Sequence, residues 1–137
     1  MGEPALIHAL LVSNRKTSLS EFAATLENLS VRVVWSETGN GAITTLGGKA
    51  FDIVIVDEEL PDMTGLQFAK KLVSTNPMIH CAAVSSLSRK DFHEASEGLG
   101  LLMELPVTPK RAHAEELVKH LQSILNMTGK ITGNERK

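Results

Sequence analysis

The chain has 137 residues, of which 42% are hydrophobic and 22% charged, and its net charge is −2 at pH 7. This is typical of one soluble globular domain and argues against intrinsic disorder. Only 4% of the residues are aromatic. The sequence therefore indicates neither the basic face nor the aromatic stacking surfaces that are typical of nucleic-acid binding. A single cysteine, Cys81, excludes an internal disulfide and a cysteine zinc cluster. Without a long apolar run or a secretory signal, the chain is predicted to be cytoplasmic and to make no membrane contact.

Five short apolar runs predict β-strands in chain order. They are residues 5–12, 31–35, 51–56, 78–84 and 101–105. Their apolar residues are mostly consecutive and do not alternate with polar ones, which favours strands covered on both faces, as in a parallel sheet.

Five helical patterns lie between and after these strands. Their apolar positions are Leu19, Phe22, Ala23, Leu26 and Leu29; Ile43 and Leu46; Leu66, Ala69, Leu72 and Val73; Phe92, Ala95 and Leu99; and Leu117, Val118, Leu121, Ile124 and Leu125. Three sets of residues predict helix starts: Ser18 with Glu21, Ser88 with Asp91, and Thr108 with Pro109.

Strand and helix therefore alternate five times, which predicts an α/β domain with a parallel sheet and helices on both faces. Residues 1–127 are predicted to form this domain. Residues 128–137 are polar and contain glycine, so they are predicted to be a flexible tail or the start of a linker.

Loops at the carboxyl ends of parallel strands converge and form the ligand sites of such folds. Four loops qualify here. They begin with Ser13 and Asn14 after the first strand, with Asp57 after the third, with Ser85 after the fourth, and with Pro106 after the fifth.

The segment Asp52–Leu66 closely resembles the third strand and following loop of response-regulator receiver domains. The resemblance extends over residues 5–126 through the spacing of the other elements. It implies a flavodoxin-like (CheY-like) doubly wound fold of five parallel strands in the order 2-1-3-4-5. It also implies a role in two-component or phosphorelay signal transduction, with Asp57 at the position that accepts a phosphoryl group from a histidine kinase.

The family's other pocket residues are matched only in part. Ser85 stands at the position of the hydroxyl that binds phosphoryl oxygens. An acidic pair that holds magnesium is replaced by Ser13 and Asn14, and the lysine before the proline is replaced by Leu105. The aromatic switch position falls at Leu102.

These departures indicate a degenerate pocket, typical of a pseudo-receiver that binds partners without the full phosphorylation switch. Magnesium is expected to bind weakly or not at all, held by Asn14, Asp57 and Glu59 if anywhere. The domain is expected not to be an enzyme. Its partner is expected to be a sensor histidine kinase or another signalling protein, and a homodimer through the helix 4–strand 5–helix 5 face is in keeping with the family. The alternative is a conventional receiver phosphorylated at Asp57.

Two other classes of protein account for some of the same residues. A flavodoxin-type flavin binder would use the polar loop of residues 13–18, but the loop lacks a glycine and the chain has no tyrosine. An Asp-x-Asp phosphatase would need a second aspartate where Glu59 stands. For Ser85, capping of the next helix and phosphate binding remain equally open. The histidines are expected to be ordinary surface or strand residues, and Cys81 a small buried hydrophobe.

Overall fold

In a computed structural model, residues 7–128 are described, with side chains described as far as residue 125. Strands and helices alternate along them: β1 (Ile7–Val12), α1 (Lys16–Asn28), β2 (Val31–Ser36), α2 (Gly39–Gly48), β3 (Ile53–Val56), α3 (Gly65–Thr75), β4 (His80–Val84), α4 (Arg89–Ala95), β5 (Met103–Leu105) and α5 (Arg111–Thr128). The predicted alternation is confirmed. Over these residues, no helix is both long enough and apolar enough to cross a bilayer.

The five strands form one parallel sheet in the order β2-β1-β3-β4-β5, which confirms the predicted fold. Neighbouring side chains along a strand point to opposite faces. Leu11 and Ile55 pack in the cluster with α1 and α5, whereas Leu10 and Val54 pack in the cluster with α2, α3 and α4. Because both faces are covered, both positions must be apolar, and this produces the unbroken apolar runs.

Three strands begin two residues later than their apolar runs. Ladder pairing starts only at Ile53, His80 and Met103, so the preceding residues lead into the sheet without belonging to it. Cys81 in β4 is buried, as predicted, and burial raises the pKa of its thiol to about 12.

Two predicted helix starts are wrong. Ser18 does not cap α1, because this helix already begins at Lys16 with Arg15 as its N-cap residue. Thr108 and Pro109 do not start α5, which begins at Arg111. The Lys110 amide is instead bound by Nδ1 of His113 at 2.9 Å, and this bond closes the first turn.

Other helix starts follow capping chemistry. Ser88 caps α4 by accepting a hydrogen bond from the Asp91 amide, as predicted. Thr64 and Gln67 form a reciprocal capping box at α3 that the apolar pattern did not indicate. Because the box fixes the first turn of α3, it also fixes the end of the loop that carries Asp57. Of the predicted tail, only Thr128 lies within the described residues, as the last residue of α5.

Candidate functional site

The site lies at the carboxyl ends of the central strands. Ser13, Asp57 and Ser85 each directly follow a strand. The Ser13 amide donates to the carbonyl of Ser36, the Asp57 amide to that of Val12 and the Ser85 amide to that of Leu105, each at 2.9 Å. These bonds continue the sheet by one residue, so the backbone fixes the three positions before any side chain contributes.

The Asp57 carboxylate is 1% exposed and accepts four hydrogen bonds. Oδ2 accepts from the Ser13 hydroxyl at 2.7 Å and from Nε of Arg15 at 2.8 Å. Oδ1 accepts from Nη2 of Arg15 at 2.8 Å and from the Glu58 amide at 2.7 Å. Both carboxylate oxygens are therefore occupied by donors of the protein itself, and the guanidinium binds in the bidentate geometry that is strongest for such pairs.

Arg15 is the site residue that the sequence analysis missed. Its amide donates to the Ser13 hydroxyl at 2.8 Å, and this turn directs its side chain back over the sheet toward Asp57. Nη2 also donates to the carbonyl of Val107 at 2.9 Å. One guanidinium thus joins the β1–α1 loop, the end of β3 and the β5–α5 loop. The one available signal was a basic residue in a loop where the family carries carboxylates.

The electrostatics of the pair favour its charged form. Burial alone would raise the pKa of Asp57, but hydrogen bonds from Arg15, Ser13 and the Glu58 amide outweigh it and hold the pKa below its ordinary value. The hydrogen bond to Asp57 raises the pKa of Arg15. The site therefore contains a buried carboxylate whose charge is already neutralised by a fixed cation.

The hydroxyl groups after β4 already have hydrogen-bond partners within the protein. Ser85 is buried, and its hydroxyl accepts a hydrogen bond from the Leu87 amide at 3.0 Å. Ser88, and not Ser85, caps the next helix, so the capping role that was open for Ser85 is wrong. Glu58 binds both the amide and the hydroxyl of Ser86 at 2.8 Å. This contact ties the loop after β3 to the loop after β4.

The rest of the β3–α3 loop is fixed by close backbone packing. The Gly65 amide donates to the carbonyl of Glu58 at 2.8 Å. A Cβ atom at Gly65 would collide with the backbone carbonyl oxygen of Asp57, so glycine is required for α3 to begin this close to the site. Glu59 is exposed and pairs with Thr64 through the backbone, and it is not among the groups that hydrogen-bond to the Asp57 carboxylate.

Three other predicted site residues donate no hydrogen bond to the Asp57 carboxylate. Asn14 is exposed. Leu105 is fully buried in the cluster with α1 and α5, where it serves as a packing residue. Leu102 is partly buried against the same cluster, and its amide donates to the carbonyl of Cys81 at 2.7 Å.

These residues do not fit a magnesium ion. Magnesium in proteins is usually held by one or two carboxylates together with water molecules, but the end of β1 supplies Ser13 and Asn14, which carry no charge. The oxygens of Asp57 are bound by Arg15, whose positive charge would repel a second cation. Across residues 7–125, no group of three or more His, Cys, Asp or Glu side chains is arranged to hold a metal.

A groove of about 740 Å³ lies between α4, β5 and α5, beside the site. Its apolar lining includes Phe92 and Met103, and Leu87 is exposed at its edge. Arg89, Glu104 and other charged side chains also line it. Burial raises the pKa of Glu104, and nearby Arg89 opposes that shift.

Comparisons with known proteins agree with this architecture. Residues 9–122 match the model of the response regulator receiver domain family. A two-component response regulator of rice, ORR42, is 31% identical over 97 residues, which cover 68% of this chain and 74% of that protein. The chain therefore belongs to the response regulator receiver domain family, and it is a receiver domain of two-component signalling.

Two further likenesses extend the comparison. The autoinducer 2 sensor kinase/phosphatase LuxQ of Vibrio vulnificus is 26% identical over 115 residues, covering 81% of this chain but 13% of LuxQ. The chain thus spans about an eighth of that relative. The chemotaxis response regulator CheY4 of Vibrio cholerae superimposes with a TM-score of 0.76 at 17% identity, covering 85% of this chain and 99% of CheY4. At that identity the likeness concerns the fold.

Proposed function

We propose that this receiver domain transmits signals through protein–protein contacts that do not require phosphorylation of Asp57. The observation that carries the proposal is the bidentate pairing of Arg15 with Asp57, supplemented by the Ser13 hydroxyl. The domain is then a binding module and not an enzyme, with a histidine kinase or another signalling protein as its partner.

Two features of the site oppose phosphoryl transfer: the pairing of Arg15 with Asp57 and the loss of the family's other charged groups. An attacking carboxylate oxygen must approach phosphorus in line, but both oxygens of Asp57 are hydrogen-bonded and the carboxylate is buried. The transferred group also needs cations that stabilise its developing charge. Leu105 replaces the family's lysine, and the acidic pair that would hold magnesium is replaced by Ser13 and Asn14.

The pairing also replaces the signal that phosphorylation would give. A modification shifts a protein only through contacts that differ between two states. Here Arg15 already links Asp57 to the carbonyl of Val107 in the loop after β5. Because that loop leads into α5, the face formed by α4, β5 and α5 is held in one arrangement and remains available to a partner. A homodimer through this face stays a prediction, as does a cytoplasmic location.

One observation favours the conventional alternative. The Arg15 side chain is 33% exposed, so it has a path into solvent, and a guanidinium that had released Asp57 could pair with phosphoryl oxygens. In that case Asp57 would be modified and Arg15 would act as the cation.

Nuclear magnetic resonance with beryllofluoride, an analogue of the phosphoryl group, separates the two. We expect the amide signals of the full chain, including those of β5 and α5, to remain unchanged when beryllofluoride and magnesium are added. Asp57→Asn serves as the control that cannot accept the analogue. Large shifts in β5 and α5 that require Asp57 would contradict the proposal and support the conventional alternative.

A further inference from the structure

A second concave surface lies away from Asp57, between α2 and α3. Three adjoining depressions of about 550, 370 and 180 Å³ form it. The smallest depression shares Leu46 and Asn76 with the largest, and it shares Ile43 and Thr75 with the third. We call this surface the α2–α3 groove. At one end stands Met78, whose side chain is 85% exposed.

Helix α2 is covered only in part by the core: Ile43 and Leu46 pack against the cluster with α3 and α4 but keep an exposed portion. Ala42 is its only buried apolar residue, and Ile43 and Leu46 are partly buried at the wall of the groove. Four of its ten residues are glycine, the poorest helix former after proline. A helix of this composition gains most of its stability from packing. The side of α2 that faces the groove leaves Ile43 and Leu46 partly exposed.

The rim of the α2–α3 groove carries three lysines, and the two segments that form the groove contain no acidic residue. Lys49, Lys70 and Lys71 are exposed around it, and residues 39–51 and 64–79 contain no Asp or Glu. The positive charge of the groove contrasts with the net charge of −2 of the whole chain. The groove therefore combines depressions whose walls are apolar in part with an excess of cations, which complements a surface that is both apolar and acidic.

The nearest carboxylates outside these segments are already engaged. Asp62 accepts hydrogen bonds from the amides of Gly39 and Asn40 at 2.9 Å, and Asp52 accepts one from the His8 amide at 2.8 Å. Both are committed to backbone donors. Lys71 also interacts electrostatically with Asp62, and Nζ of Lys49 lies 5.6 Å from the centroid of the Phe51 ring.

We propose that the α2–α3 groove binds an acidic amphipathic helix of a protein partner. Apolar side chains of that helix fill the depressions beside Ile43, Leu46 and Met78, and its carboxylates pair with the three lysines. An extended strand is not the occupant, because the open edges of the sheet are β2 and β5 and the groove is lined by helices. An α3 of eleven residues is about 16 Å long and matches a partner helix of three turns.

The test uses a synthetic 14-residue helical peptide with leucines on one face and glutamates on the other. It is titrated into the isotopically labelled full chain, and amide shifts are followed by nuclear magnetic resonance. We expect saturable shifts confined to α2, α3 and residues 76–79. A peptide with lysines in place of the glutamates is expected to produce none. Because the groove is separate from Asp57, Asp57→Asn should respond as the unmodified chain does.

Matched charge reversals test the lysines. We expect Lys70→Glu with Lys71→Glu to weaken the peptide about tenfold, which corresponds to two exposed ion pairs. Lys90→Glu with Lys119→Glu changes the net charge equally on other helices and should leave affinity within about twofold. The proposal would be overturned if the peptide produced no shifts or shifts outside the groove. It would also be overturned if the lysine peptide bound equally well, or if the two double variants had equal effects on affinity. Binding to phosphatidylserine vesicles without binding to the peptide would overturn it in favour of a membrane surface.

Discussion

Replacing Arg15 by alanine removes three hydrogen bonds at once, two to the Asp57 carboxylate and one to the carbonyl of Val107. The carboxylate is left with the Ser13 hydroxyl and the Glu58 amide. Breaking a fully buried ion pair costs about 3–5 kcal/mol, whereas exposed pairs contribute about 0–1 kcal/mol. Asp57 is 1% exposed but the Arg15 side chain is 33% exposed, so water compensates in part. We expect a loss of about 2 kcal/mol, between these two limits.

Urea unfolding followed by Trp35 fluorescence measures this loss. Trp35 is the only tryptophan of the chain, and Lys16, next to Arg15, lies 5.2 Å from its ring centroid. Arg32→Ala is the matched control, because Arg32 is exposed on β2 and its loss should cost less than about 0.5 kcal/mol.

A double-mutant cycle isolates the pair. With Asp57→Asn as the second change, we expect a coupling free energy of about 1.5 kcal/mol between the two positions. The reasoning is refuted if Arg15→Ala is as stable as Arg32→Ala, or if the effects of Arg15→Ala and Asp57→Asn are additive.

Three further predictions concern the same site. Because the pKa of Asp57 is lowered by folding, its contribution is present above the unfolded value of about 3.9 and is lost as the pH falls through the folded value. The stability difference between the unsubstituted chain and Arg15→Ala should therefore shrink below about pH 4. A difference that does not change with pH would contradict the lowered pKa of Asp57. Gly65→Ala should cost about 3 kcal/mol through its collision with the Asp57 carbonyl. Gly47→Ala, whose added Cβ meets no atom, should stabilise the chain by up to about 1 kcal/mol. Equal effects of the two substitutions on stability would contradict the collision at Gly65. Finally, four substitutions restore the family's charges and clear the carboxylate: Ser13→Asp, Asn14→Asp, Leu105→Lys and Arg15→Ala. If this variant folds and binds magnesium, it should gain a phosphoryl group from acetyl phosphate, since each restored group is worth on the order of a hundredfold in rate.

The alternation of strands and helices could be predicted because it depends on patterns that are local in sequence, whereas the strand order was implied by the resemblance to receiver domains. Apolar runs such as Ile53–Val56 must be continuous when both faces of a strand are covered. The position of Asp57 beside Ser13 followed from the strand order. Helix starts were predicted less well, because the start of α1 depends on the Ser13 hydroxyl binding the Arg15 amide, an interaction that competes with the capping signal at Ser18.

The partner of Asp57 could not be predicted for a different reason. Arg15 reaches a carboxylate 42 residues away and a carbonyl 92 residues away. The direction of a long side chain is set by loops that only tertiary packing brings together, and no spacing rule encodes it. The substitutions at Ser13, Asn14 and Leu105 indicated which charges were missing. They did not indicate that a neighbouring arginine supplies one.

The most direct test of the central claim is the intact mass of the protein after incubation with acetyl phosphate and magnesium. Asp57→Asn marks the mass of a chain that cannot be modified at this position, and the variant with restored charges serves as the reference for acceptance. Because Arg15 and Ser13 occupy both oxygens of Asp57, we expect the mass of the chain without substitutions to stay the same after the incubation. A stoichiometric gain of one phosphoryl group that requires both magnesium and Asp57 would contradict the account.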